Sequence, residues 1–197
     1  MSDGWPPEIC NMPCIDDLWG YNVLTHTLNM VFRGGGPKAI KSRALVSNYI
    51  RIVDQAVRQY KSAKEAFEKY LNTPNDVIGP IFVSVGYFEA LLSSLKRAIK
   101  FAERIRRDRD CPPISNALSI FSTTSHKTIT YFRNAIEHLD EEIYNDTQKE
   151  GDPITLLIKD NSIELSGIEI SYKSMETWIR ELDDIARKLA IYREENA

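Results

Sequence analysis

Between residues 38 and 71, Leu45, Tyr49, Ile52, Ala56, Tyr60, Ala63, Phe67 and Tyr70 recur at alternating steps of three and four. At about 100° per residue these positions share one side of a helix, which predicts a single long helix with an apolar seam. A helix this long cannot cover its own seam, so other helices must pack along it. The chain supplies them. After the break NTPND at 72–76, Pro80 opens a second seam of Ile81, Val85, Phe88, Leu92, Leu95, Ile99 and Ala102. The segment CPP at 111–113 closes it, and Ser115 or Asn116 is expected to cap a third helix. Its stripe is Ile129, Phe132, Ile136, Leu139 and Ile143.

The period changes after NDTQKEGDP. ITLLIKDNSIELSGIEISY holds short β-branched runs separated by Asp160-Asn161 and Ser166-Gly167, which predicts a small β-hairpin or meander. A last helix, from about Lys173 to Glu194, presents Met175, Trp178, Ile179, Leu182, Ile185, Leu189 and Tyr192. The expected fold is mainly α: an up-and-down four-helix bundle with a small β insert before the last helix. Ahead of it, residues 1–15 read as an irregular arm. Asp16 and Asp17 are placed to cap a short helix running to about Phe32, with Tyr21, Leu24, Leu28 and Val31 at helical spacing. The run RGGGP at 33–37 lacks the G-x-x-x-x-G-K-[ST] of a phosphate loop and reads as a flexible connector. Residues 1–37 thus form an arm, and 38–197 the helical domain.

The 43% apolar and 27% charged residues allow one domain with a sizeable core and a solvated surface. A net charge of -3 exerts no overall pull on nucleic acid or anionic lipid, so any such contact needs a local patch. Three cysteines argue against a disulfide scaffold and for a reducing compartment. With neither a signal peptide nor an apolar run of roughly 20 residues, a soluble cytoplasmic protein is expected, without a membrane partner.

The one stretch that carries chemistry is FRNAIEHLDEE at 132–142. With Ile129 to Ile143 facing the core, Asn134 and His138 point away from it and Arg133 lies on the flank. One reading is ordinary surface chemistry: an i,i+4 ion pair between Arg133 and Glu137, and a solvated His138. The other is catalytic. A guanidinium fork holds a phosphate through charge-assisted hydrogen bonds, and an imidazole exchanges protons near neutral pH.

RNAIEH, residues 133–138, resembles the R-x(4–6)-H signature of the HEPN superfamily, in which a polar residue often follows the arginine. The setting is similar too, on a late helix of a helical domain with another helix after it. The resemblance implies a metal-independent endoribonuclease without cofactor, acting as a toxin or defence effector. It implies a homodimer in which two motifs meet and RNA cleavage by 2′-OH attack on the adjacent phosphate. Arg133 would bind that phosphate, His138 transfer protons, and Asn134 orient histidine or RNA. An antitoxin or nucleotidyltransferase is the implied partner. Two features depart from the pattern. His138-Leu139-Asp140 replaces the H-x-Y of some such toxins, and the following acids repel RNA. Other members are non-catalytic, so a helical module binding a protein or nucleotide is the alternative.

KRAIKFAERIRRDRD at 96–110 supplies Lys96, Arg97, Lys100, Arg104 and Arg107 as candidate RNA-binding cations, with Arg106 and Arg109 beside them. The same charges also complement a helix C-terminus. Cys10-x-x-x-Cys14 is half a zinc pattern with no second pair, so no metal site is expected. His126 reads as a polar position preceding the motif and His26 as a helix-surface residue.

Overall fold

The computed structural model describes residues 7–73, 78–115, 117–138, 144 and 155–194. The helices run α1 (Asn22–Arg33), α2 (Ile40–Leu71), α3 (Gly79–Arg107), α4 (Thr123–Glu137) and α5 (Tyr172–Ile191). One 3₁₀ turn, Ser119–Phe121, leads into α4. Strands β1 (Leu157–Ile158), β2 (Ser162–Leu165) and β3 (Ile168–Ser171) precede α5. The chain is mainly helical with a small antiparallel sheet before its last helix.

The seam of α2 is buried as its spacing requires, with Tyr49, Ile52, Ala56, Tyr60, Ala63 and Phe67 sealed from solvent. Its partners lie on different sides. Asp108, at the end of α3, accepts hydrogen bonds from Ser42 and Lys41 at the start of α2, both at 2.8 Å. Further along, Ser84 of α3 donates to the Ala63 carbonyl, so α2 and α3 run antiparallel. The Tyr49 hydroxyl donates to the Leu182 carbonyl of α5. Arg106, near the end of α3, stacks on Phe121, while Lys96 further back lies beside Arg133 and Glu137. Helix α4 therefore folds back antiparallel to α3.

The β meander has the order β1-β2-β3, with Ile158 opposite Ile163, and Ile163 opposite Ile170. Its second turn is Ser166-Gly167, and both residues take positive φ (49° and 77°), the geometry of a tight hairpin whose twist matches its strands. The buried strand residues and Tyr172, stacked on Phe88 of α3, join the common core.

Several sequence expectations give way. Asp16 and Asp17 do not cap α1, which begins at Asn22 with no side-chain cap. Asp17 instead pairs with Arg180 of α5 at 2.7 and 3.0 Å, tying down the N-terminal segment whose Met12, Ile15 and Leu18 enter the core. Ser115 does not cap α4. Ser122 does, accepting from the Ser125 amide, while Asn116 lies outside the described residues. Nor is the glycine run a loose connector: Gly35, Gly36 and Pro37 are buried, and the Gly36 amide donates to the Tyr192 carbonyl at 2.8 Å.

The largest departure is α1. Its apolar stripe exists but faces outward, and its buried residues are polar: His26 and Asn29. Asn29 donates to the carbonyls of Ala190 and Tyr192, closing the C-terminal turn of α5. Asn22 bridges two buried carboxylates, Asp54 of α2 and Asp183 of α5, at 3.0 and 2.8 Å. Burial raises the Asp183 carboxyl above its ordinary range, opposed by the Asn22 bond. His26, expected at the surface, is fully buried, with Nε2 on the Ser47 hydroxyl at 2.9 Å. Burial lowers its pKa, so the ring is held neutral.

Candidate functional site

Helix α4 is positioned by Ile129 and Phe132, both fully buried. That leaves its C-terminal end at the surface. The last helical residue is Glu137, and His138 is the C-cap, its amide donating to the Asn134 carbonyl at 2.9 Å. The stripe positions Leu139 and Ile143 lie outside the described residues, as do Asp140, Glu141 and Glu142. Asn134 and His138 are exposed; Arg133 is partly covered, its side chain 35% exposed. The three residues share the exposed end of one helix, with His138 little more than one turn beyond Arg133.

Arg133 is engaged. It forms the i,i+4 ion pair with Glu137 that the spacing offered. An incoming phosphate must therefore compete with that carboxylate, or bind on the other edge of the guanidinium fork.

Lys96 stands across from this pair on α3. It is only 8% exposed, and burial lowers its pKa, helped by the positive charges of Lys100 and Arg133 and opposed by Glu137. The sequence singled out Lys96 as one cation in a run, yet it differs from the others: its stem lies in the α3–α4 contact. At about 100° per residue, Lys96, Lys100, Arg104 and Arg107 fall within one narrow strip of α3. Lys100, Arg104 and Arg107 are exposed along it. Arg104 lies over the Phe101 ring at 5.7 Å. Because α4 runs antiparallel to α3, the strip begins beside Arg133 and leads away toward the start of α4. Arg97 is exposed but turned about 100° from Lys96, outside the strip.

At the far end of the strip lies a cleft of about 850 Å³, lined by Arg106, Arg107, Arg109, Pro112, Pro113 and Phe121 among others. Arg106 stacks on Phe121 there at 4.4 Å. Sequence reading missed this pairing because Phe121 follows the proline break and reveals its neighbour only when α4 folds back.

Cys10, Cys14 and Cys111 are free thiols. Among the described residues no group of three or more His, Cys, Asp or Glu is arranged to hold a metal ion, and no helix is long and apolar enough to cross a membrane. No family model, curated protein or solved structure matches the chain.

Proposed function

We propose that the chain is an HEPN-type endoribonuclease in which α2, α3, α4 and α5 form the four-helix bundle and the exposed end of α4 forms half of a composite site. The observation that carries this reading is the placement of Arg133 at the head of the cationic strip, a little over one turn from His138. A single-stranded RNA laid along Lys100, Arg104 and Arg107 would bring a phosphate to Arg133. One histidine takes the 2′-OH proton as that oxygen attacks the adjacent phosphorus. The P–O5′ bond breaks, and the departing oxygen receives a proton from a second imidazole. The products are a 2′,3′-cyclic phosphate and a 5′-OH. One protomer supplies one such histidine, so the pair requires a homodimer. Asn134 orients the ring or the RNA. A toxin or defence role in the cytoplasm, restrained by an antitoxin or nucleotidyltransferase, fits this activity.

The Arg133–Glu137 pair favours a second reading, a non-catalytic helical module that presents the same end of α4 to a protein or nucleotide. Incubating the purified protein with RNA in EDTA separates the two. Cleavage yielding cyclic-phosphate ends, lost by at least about a hundredfold in both Arg133→Ala and His138→Ala with circular dichroism unchanged, is the enzyme's outcome. Intact RNA at high protein concentration leaves the module.

A further inference from the structure

Helix α1 is built inside out, and we infer that its outer face is an interface with a second copy of this chain. Its inward polar groups are already satisfied: Asn29 by two carbonyls of α5, and Asn22 by two carboxylates. This orientation is thus fixed by hydrogen bonds. It leaves Leu24 59%, Leu28 46%, Val31 67% and Phe32 77% exposed, continued by Tyr21 at 57% and Trp19 at 81%. Leu24, Leu28, Val31 and Phe32 lie within about 100° of the helix circumference, and Trp19 and Tyr21 adjoin its N-terminal end beside Thr25.

The area decides what covers this face. With roughly 150–250 Å² per aromatic residue and somewhat less per aliphatic one, these fractions amount to on the order of 800 Å². Monomers seldom leave a patch above about 300–600 Å², whereas a standard interface takes about 800 Å² from each partner. The face is therefore of the size that one side of a standard dimer takes.

Charge points to the occupant. From Asn22 to Phe32 the helix has no ionisable side chain except the buried His26. A charged partner would find counter-charges only at the rim, at Arg33, Arg58 and Arg187, and charges placed on the ridge itself would be desolvated without return. A second copy offers an equally neutral ridge. Two such ridges, crossing antiparallel about a twofold axis, set Leu24 against the Val31 end of the partner and Leu28 near the axis. Helix α1 packs on α2 and α5, while α4 packs on α3. Self-pairing through α1 thus uses a different element from the RNA site and does not depend on the ribonuclease reading, in which the two α4 ends meet around a bound RNA phosphate. The mass of the RNA-free protein therefore reports on α1 alone.

Sedimentation equilibrium on the full chain is the test. The wild-type protein should have twice the chain mass at micromolar concentration. The doubles Leu24→Glu/Val31→Glu and Leu24→Lys/Val31→Lys should each be monomeric, with helical circular dichroism retained. Mixed in equal amounts, they should recover the dimer, which only a self-facing ridge allows and unfolded variants cannot produce. Arg133→Ala/His138→Ala should keep the wild-type mass. A monomeric wild type overturns the inference, and so do doubles that remain dimeric. A monomeric wild type that sediments with anionic phospholipid vesicles, and loses this in the doubles, would assign the face to a membrane surface instead.

Discussion

Lys96 is the residue at which stability and the proposed function oppose one another. Its ammonium is desolvated and lies near two other cations, a cost that folding alone has no reason to accept. Because the native state lowers this pKa, the unfolded chain binds more protons as pH approaches the ordinary lysine value. The penalty is thus fully present at neutral pH and is relieved as pH rises through the native pKa toward 10.5. Lys96→Met keeps the stem that fills the α3–α4 contact and removes the charge. It should raise Tm at pH 7, by about 2–4 °C for each kcal/mol relieved, while weakening RNA binding and flattening its salt dependence. Calorimetry and RNA titration check the two halves. A variant with lowered Tm would mean that the ammonium is a net stabiliser. Nothing in the spacing of KRAIK reveals this burial, because Lys96 precedes its contact with α4 by some 40 positions.

At the level of elements, the seams of α2, α3 and α5 were legible because each is a sustained apolar period with only one way to be covered. The meander was legible too, since Ser166-Gly167 has the chemistry its turn demands. Helix α1 was not. Tyr21, Leu24, Leu28 and Val31 read like any buried stripe, and the groups that reverse it lie on other helices, Ser47 and Asp54 on α2 and the Ala190 carbonyl and Asp183 on α5, 161 residues further along. The glycine run was misread for the same reason. A Cβ at Gly35 would come within 2.2–2.5 Å of the Asn29 side chain, so a glycine stands there to admit Asn29 rather than to loosen the chain. Gly35→Ala should displace Asn29 from the Ala190 and Tyr192 carbonyls and cost about 1–3 kcal/mol. In native-state hydrogen exchange, α1 and the last turn of α5 should lose protection together, with α3 unaffected. Loss spread evenly over all helices would contradict so local a coupling. The chemistry at Arg133 was legible as residue types and exposure, but its neighbours on α3 emerged only once the two helices were paired.

For the whole molecule, the junction of α1, α2 and α5 holds two groups, His26 and Asp183, whose shifts predict opposite responses to acid. His26 is buried in neutral form with its pKa lowered. In the window between the ordinary value of 6.5 and the lower native one, the unfolded chain takes up the proton first. The stability due to His26 is thus complete above 6.5 and is lost as pH falls through that window. Asp183 acts in the opposite sense, since its raised carboxyl favours the folded state as pH drops through its native value toward the ordinary 3.8. Urea titrations from pH 7.5 to 5 should show falling stability, with a shallower slope in His26→Gln, whose amide can still reach Ser47. Equal slopes in both proteins would remove His26 as the cause.

The bonds that orient α1 also impose an order on biosynthesis. Asn22 and Asn29 find their partners on α5 only after some 161 further residues have been added, on the order of ten seconds at ordinary translation rates of about 5–20 residues per second. Until then α1 is directed only by its bonds to Asp54 and Ser47 of α2, and its neutral, leucine-bearing face can still collapse inward onto the growing chain. Its orientation is completed late, so the self-pairing proposed for this face would have to follow the completion of α5.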